Sequence, residues 1–295
     1  MKKFYLLVNS VSGKKKGADI LKKIQPVFAE NDSKLTVLNL EHHGHAKILA
    51  GTLDFTGYNG LCAIGGDGTM SEMVNGILNR QDNELIPLGL VAGGTGNSFM
   101  HDLDCLNPIE AVKRIIDGKL RPIDVAKVVA DKMEYYSFNI IGWGLAADAA
   151  NMAEGLRWLG GARYNIASII EVILDRKKMA TLIVDGVEYR EDFVGIIACN
   201  TIHTGKGMRM APHAKIDDGK IDLLIVRKGS RLKLLKLFSK LFSGEHINNS
   251  LVEYKQVDRF SIIPDVQSKL NIDGELIGNS PVHVEVKKKR VNLLV

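Results

Sequence analysis

Gly60-Leu61-Cys62-Ala63-Ile64-Gly65-Gly66-Asp67-Gly68-Thr69 is the stretch that decides the fold. Gly60 to Ile64 is a short apolar run and reads as a buried strand. It ends in a glycine cluster, and helical spacing predicts a helix from Ser71 to Leu78. Upstream, Phe4 to Val8 reads as a strand, Ala18 to Phe28 as a helix, Leu35 to Leu40 as a strand and His45 to Leu53 as a helix. Downstream, Ile86 to Val91 reads as a strand and Ile109 to Ile116 as a helix. Strands alternating with helices imply βαβ units, hence a parallel sheet with helices on its faces. Ligands of such sheets bind beyond the carboxyl ends of the strands.

The texture changes at Arg121-Pro122. Strand-like runs follow at Ile123–Val129, Tyr135–Ile141, Thr181–Val184, Glu188–Ala198, Ile221–Val226, Arg259–Ile263, Lys269–Ile272 and Val282–Val286. This predicts an α/β domain over residues 1–122 and a β-rich domain over 123–280, with residues from about 280 to 295 returning to the first. Two helices interrupt the second domain. One spans Leu156 to Leu174, with an apolar stripe at Leu159, Ala162, Ile166, Ile169, Ile170 and Ile173. The other spans Leu232 to Phe242 and sets Leu234, Leu235, Phe238, Leu241 and Phe242 against Arg231, Lys233, Lys236 and Lys240. Such a helix either packs on a core or lies on an anionic membrane surface.

Three loops end predicted strands. Gly65 to Thr69 combines glycines, which let the backbone approach an anion, with a following helix whose amides and dipole favour phosphate. Asp67 would repel phosphate directly, but suits a hydrated Mg²⁺ that bridges phosphate oxygens. Gly93-Gly94-Thr95-Gly96-Asn97 and Asn9-Ser10-Val11-Ser12-Gly13 have the same glycine-rich or polar character, so the three could cup one nucleotide triphosphate. The pattern G-x-x-x-x-G-K-[ST] is absent, which excludes a Walker-type site. Gly142-Trp143-Gly144-Leu145-Ala146-Ala147 fits G-x-G-x-x-A, yet its β-rich surroundings lack the βαβ unit a dinucleotide site needs.

Near the end stands Asn271-Ile272-Asp273-Gly274-Glu275. If extended, Asp273 and Glu275 share a face and form an acid/base or metal pair; otherwise Asp-Gly is a hairpin turn. Lys215-Ile216-Asp217-Asp218-Gly219-Lys220 is a turn that could hold a structural cation through Asp218 and neighbouring carbonyls. His42, His43 and His45 form no ligand spacing with a cysteine, and no G-x-S-x-G elbow supports nucleophilic serine chemistry.

The chain has 295 residues with 39 basic and 34 acidic side chains, a net charge of +5. That is far from the dense positive stripe of a nucleic-acid binder, so no nucleic-acid partner is expected. Its 45% apolar and 25% charged residues exclude a disordered or fibrous chain. The longest uncharged stretch, Leu85 to His101, contains Pro87 and four glycines, so no spanning helix is expected. Phe4 to Val8 is too short for a signal-peptide core. Cys62, Cys105 and Cys199 are isolated and fit buried free thiols in a reducing compartment.

The ordered set of motifs resembles the diacylglycerol kinase catalytic-domain family, which includes bacterial diacylglycerol kinases and sphingosine and ceramide kinases. Its marks are Asn9 to Gly13, Gly44-His45-Ala46, Gly65 to Thr69 with Glu72, Asn75 and Gly76, then Gly94-Thr95-Gly96-Asn97, Ala211-Pro212, Asp217-Asp218-Gly219, Gly244-Glu245-His246 and Asp273-Gly274-Glu275. The Gly-Gly-Asp-Gly-Thr loop alone is shared with NAD kinases and phosphofructokinases. The resemblance implies a nucleotide-binding α/β domain, a β-sandwich lipid-binding domain and an active site in the cleft between them. By it, Asn9, Ser10, Val11, Ser12, Gly13, Gly66, Asp67, Gly68, Thr69, Met70, Ser71, Glu72 and Thr95 would hold ATP. Asp273 would be the general base on a lipid hydroxyl, Glu275 and Asp67 would organise Mg²⁺, and Lys215, Asp218 and Lys220 would form the structural metal loop. The implied partner is a lipid at a membrane surface, with cytoplasmic location, peripheral association, a role in phospholipid metabolism and room for a homodimer. Two positions depart from the family pattern: Ser98 replaces an aspartate and Leu40 a nucleotide-contacting threonine. Ser98 and residues Gly142 to Tyr164, including Arg157-Trp158-Leu159-Gly160 and Ala162-Arg163-Tyr164, look more like the sphingosine and ceramide kinase branch. The competing readings are an NAD kinase and a non-catalytic nucleotide or lipid sensor.

Overall fold

The computed structural model of the chain describes residues 1–9, 16–156, 163–174, 178–205 and 207–295. It forms two compact units. The first comprises Met1–Val125, Gly205–Gly207 and Lys288–Val295; the second comprises Ala126–Thr204 and Met208–Lys287.

The first unit alternates β1 (Lys2–Val8), α1 (Gly17–Glu30), β2 (Ser33–Asn39), α2 (His45–Thr52), β3 (Gly60–Gly65), α3 (Asp67–Leu78) and β4 (Leu88–Ala92), followed by α4 (Ser98–Asp102) and α5 (Pro108–Asp117). Its strands pair in parallel in the order β4-β3-β1-β2. Every residue of β3 is buried, as a central parallel strand covered on both faces requires. Local chemistry sets the ends of α5. The Asn107 side chain accepts from the Ile109 and Glu110 amides, Pro108 starts the helix, and Gly118 ends it at φ 75°. The free cysteines Cys62, Cys105 and Cys199 are all buried.

The chain passes between the units along β5 (Leu120–Ala130). The second unit continues with β6 (Met133–Ser137), β7 (Ile140–Gly144), α6 (Leu145–Gly155), α7 (Arg163–Leu174), β8 (Lys178–Val184), β9 (Val187–Cys199), β10 (His203–Thr204), β11 (Met208–Arg209), β12 (Ile221–Arg227), α8 (Arg231–Ser239), β13 (Val252–Val257), β14 (Arg259–Pro264), β15 (Lys269–Ile272), β16 (Glu275–Asn279) and β17 (Val282–Leu294). Its antiparallel path runs β16-β15-β7-β9-β8-β14-β17, and β12 with β13 pairs onto the second half of β9. Trp143, Phe193, Leu182 and Phe260 belong to its main core. Ile197, Met210, Leu224, Leu234 and Leu237 form a second cluster that α8 helps to close. The far end of β17 lies in the first unit, where Leu293 pairs in parallel with Leu88.

Several expected boundaries shift. α3 begins at Asp67 rather than Ser71, because extended Gly66 acts as its N-cap and Gly68 is absorbed into the first turn. The expected strand Tyr135–Ile141 is two strands, β6 and β7, broken at Phe138 and Asn139. Of the expected helix Leu156–Leu174, residues 163–174 form α7, whereas Leu156 sits at the C-cap of the preceding α6. Residues 157–162, with Arg157 to Gly160 and Ala162 of the motif stretch, lie outside the described residues.

Candidate functional site

Asn9, Gly65 and Gly93 stand at the carboxyl ends of neighbouring parallel strands, at one edge of the first unit. The glycines there are required by contact. A Cβ on Gly65 would stand 2.6 Å from the Thr69 side chain, and one on Gly94 would stand 2.5 Å from the Gly66 Cα. The amides of Gly93 and Gly94 both donate to the Gly65 carbonyl, at 2.8 and 3.2 Å. Asn97, held at φ 51°, closes the second loop: its Oδ1 accepts from the Gly94 amide at 2.9 Å and its Nδ2 donates to the Gly94 carbonyl at 3.0 Å. Two glycine loops are thereby locked backbone to backbone, with Thr95 exposed at the tip of the second.

The acidic residues of this edge bind amides of neighbouring helices. Asp67 accepts from the Ser98 amide through Oδ2 at 2.9 Å and from the Phe99 amide through Oδ1 at 3.1 Å, at the start of α4. Glu72 accepts from the Gly44 and Ala46 amides at 2.8 and 3.0 Å, at the start of α2. Each carboxylate thus caps a helix other than its own, neutralising the positive end of that helix dipole. Neither α2 nor α4 has a capping side chain of its own.

The other expected nucleotide contacts fall as follows. The Asn9 side chain donates to the Thr69 hydroxyl at 3.4 Å, and Gly66 and Gly68 are half-buried. Met70 and Ser71 are buried, Met70 in the core, so their side chains face inward. Ser10, Val11, Ser12 and Gly13 lie outside the described residues. The departure Ser98 is buried and donates its hydroxyl to the Gly205 carbonyl at 2.8 Å. Leu40 is buried, its amide bonded to the Val8 carbonyl.

In the second unit, Asp273 and Gly274 form the two-residue turn of the β15–β16 hairpin, with φ 51° and 91°, and Ile272 faces Glu275 across it. Of the two readings of this motif, the hairpin is the one adopted, so Asp273 and Glu275 do not lie on one extended segment. Asp273 is also buried and multiply bonded. Its Oδ1 accepts from the Ser137 hydroxyl at 2.7 Å and from the Asn139 and Ile140 amides at 3.0 and 3.1 Å, and its Oδ2 from the Phe138 amide at 3.3 Å. The break between β6 and β7 is therefore organised around this carboxylate. Glu275 opens β16 and is partly exposed.

Asp218 accepts from the Lys220 amide at 3.0 Å in an exposed turn, and Lys215 is exposed. Two further polar residues of this unit are buried: Asp222, which escaped the sequence reading, and His246, which entered it only as part of a family mark. Asp222 receives the Tyr254 hydroxyl and the Gln256 amide, leaves Oδ2 without a partner, and is pushed above the usual carboxylate range by burial. His246 shares its Nε2 with the Met210 carbonyl at 2.9 Å, and burial lowers its basicity. Among the described residues, no group of three or more His, Cys, Asp or Glu side chains gathers to hold a metal ion.

On α6, Asp148 pairs with Lys178 at 2.8 Å, each side chain about one-fifth exposed, and Ala150 is buried.

The fold matches that of a diacylglycerol kinase crystal structure from Bacillus anthracis, with a TM-score of 0.81 at 25% identity, covering 99% of this chain and 96% of that one. It also resembles an NAD kinase from Archaeoglobus fulgidus solved with ATP, with a TM-score of 0.51 at 12% identity, covering 100% and 94%. The architecture is thus the one shared by these two kinase classes: a parallel α/β unit followed by a β-sandwich. Residues 3–128 match the diacylglycerol kinase catalytic domain, and residues 139–295 match the YegS C-terminal NAD kinase beta sandwich-like domain. The chain belongs to the diacylglycerol kinase catalytic-domain family of lipid kinases. Its relatives include sphingosine kinase 1 of Arabidopsis thaliana, 27% identical over 94% of this chain and 68% of that protein, and the diacylglycerol kinase of Bacillus subtilis, 26% identical over 100% and 99%.

Proposed function

We propose that this chain transfers the γ-phosphoryl group of ATP, in the presence of Mg²⁺, to the hydroxyl of a neutral lipid such as diacylglycerol or a ceramide. The observation that carries the nucleotide half is the glycine pair at the edge of β3 and β4. Gly66 and Gly94 approach so closely that neither admits a Cβ without displacement. This keeps the backbone bare beside the first turn of α3, whose leading amides have no intrahelical acceptor. Those amides, Asn9 and exposed Thr95 would hold the phosphates. Mg²⁺ would neutralise the charge developing on the transferred phosphoryl group. By the family resemblance, Asp67 and Glu275 would be the protein's contributions to holding the ion.

The protein's own work is positioning. Asp67 ties the glycine loop after β3 to the start of α4, and so fixes the two loops relative to each other. Asp273 would take the proton of the lipid hydroxyl. The bonds from Ser137 and from the amides of residues 138–140 hold that carboxylate in a fixed orientation.

The neutral-lipid assignment follows from α6. A free sphingoid base carries an ammonium that needs an anionic partner when desolvated. By the resemblance to sphingosine kinases, an acidic residue would stand where Ala150 is; of the two acids close to it in sequence, Asp148 and Glu154, Asp148 is paired with Lys178. The test supplies radiolabelled ATP with diacylglycerol, ceramide, sphingosine or NAD as acceptor. Label is expected in diacylglycerol or ceramide. Label in NAD would establish the NAD-kinase reading, and ATP binding without transfer to any acceptor would leave a sensor.

A further inference from the structure

We propose that α8 and the turn after it form the surface by which this protein docks on an anionic lipid bilayer. The proposal rests on the lipid-kinase reading for its purpose, and on the charge and exposure of this one segment for its evidence.

Residues 228–245 contain Lys228, Arg231, Lys233, Lys236 and Lys240 against a single carboxylate, Glu245. The segment alone therefore has a net charge of +4, while the whole chain has +5. All five cations are exposed. Lys240 reaches Glu245 at 3.5 Å, with both side chains about half exposed or more, a contact too wet to cancel much of the field.

Packing uses only part of the helix's apolar content. Leu234 and Leu237 are buried in the second core cluster, and Leu235 and Leu241 pack partly against it. These satisfy the need of an amphipathic helix to bury one face. Leu232 is left 65% exposed before the first buried leucine, and Phe242 is 46% exposed just past the helix end. Apolar side chains standing among exposed cations suit a bilayer interface: the cations meet anionic headgroups while Leu232 and Phe242 enter the acyl boundary. A polyanion in water would use the charge and leave those two side chains without a role. No helix among the described residues is long and apolar enough to cross a membrane, so contact through α8 would be peripheral.

The test measures sedimentation of the full chain with vesicles, without ATP or a hydroxyl-lipid substrate. Phosphatidylcholine vesicles are compared with phosphatidylcholine–phosphatidylserine vesicles at low and high salt. Binding is expected only to the anionic vesicles and should weaken with salt. Each cation near such a surface adds about fivefold, so Lys233→Gln with Lys236→Gln should weaken binding roughly 30-fold. Leu232→Ser with Phe242→Ser should weaken binding while leaving its salt dependence in place. Neither pair touches the buried leucines, and an unchanged melting temperature verifies this. Equal binding to neutral vesicles, or no response to either pair, overturns the proposal. So does equally tight binding to a single-stranded oligonucleotide that responds to the lysine pair but not to the apolar pair. Catalysis is read separately with detergent-dispersed lipid: activity there without vesicle binding overturns the docking surface alone, whereas vesicle binding without activity overturns the kinase reading alone.

Discussion

Gly94→Ala probes the contact that holds the two glycine loops together. The new Cβ would lie 2.5 Å from the Gly66 Cα, 2.8 Å from Asn97 Oδ1 and 3.1 Å from the Gly66 amide nitrogen. Carbon atoms at rest sit about 3.5–4.0 Å apart, so the loops must separate by about 1 Å. Two of the three obstacles are backbone, and that backbone is tied by the bonds from the Gly93 and Gly94 amides to the Gly65 carbonyl. Overpacking of this kind costs about 1–3 kcal/mol. For a unit of this size that lowers the melting temperature by roughly 2–12 °C. A displacement of about 1 Å between groups that position a substrate costs roughly 100-fold in turnover. Two control positions grade the effect. Gly96→Ala meets Asp67 Oδ2 at 3.3 Å and should fall between wild type and Gly94→Ala, whereas Gly155→Ala meets nothing within 4 Å and should be neutral or slightly stabilising. Thermal melts and kcat/KM with ATP varied provide both readouts. A Gly94→Ala protein that melts and turns over like Gly155→Ala would refute the close-contact reasoning.

The remaining predictions concern single side chains. Asp67→Asn sets an amide nitrogen against one of the two amides it now accepts, and should destabilise the protein without nucleotide by about 1.5–3 kcal/mol; an unchanged melt would remove its capping role. Asp273→Asn should reduce turnover by about 10²–10⁴-fold and also lower the melting temperature, because the carboxylate organises the amides of residues 138–140; near wild-type turnover would show that the base is elsewhere. Burial holds the His246 basicity below its ordinary pKa of 6.5. Below that pH the unfolded chain takes up a proton that the folded one resists, so stability should fall as pH drops from about 7.5 to 5.5. His246→Gln should flatten this slope in denaturant titrations. Ala150→Asp should raise the rate with sphingosine relative to diacylglycerol by about 10- to 150-fold, the size of a charge-assisted hydrogen bond; a wild-type enzyme already preferring sphingosine would contradict the neutral-lipid assignment.

Sequence revealed what short-range physics controls. The apolar run of β3, the glycines after it and the alternation around them sufficed to place the parallel unit. The Asp-Gly turn carried its hairpin signal openly. Four features were hidden. α6 begins at Leu145, directly after the Gly-Trp-Gly of β7, and its small residues Ala149 and Ala153 cluster with Ala167 of α7, so its packing stripe lacks the bulk that periodicity detects. α4 spans five residues, too few to show a period. The capping roles of Asp67 and Glu72 depend on partners 31 and 28 positions away, which only the fold brings near. Asp222 was invisible for a related reason: inside Ile221-Asp222-Leu223-Leu224-Ile225 it reads as an interruption of a strand, and the Tyr254 and Gln256 side chains that bond it come from β13, 32 and 34 positions on.

The central claim is that this protein phosphorylates a neutral lipid hydroxyl with ATP. The most direct measurement incubates wild-type protein with ATP, Mg²⁺ and an equimolar mixed-micelle set of diacylglycerol, ceramide and sphingosine, and identifies the products by mass. A phosphate ester of diacylglycerol or ceramide, formed in preference to sphingosine phosphate and lost on removal of Mg²⁺, is the predicted result. Sphingosine phosphate as the main product, or no lipid phosphate from a folded, ATP-binding protein, would contradict it.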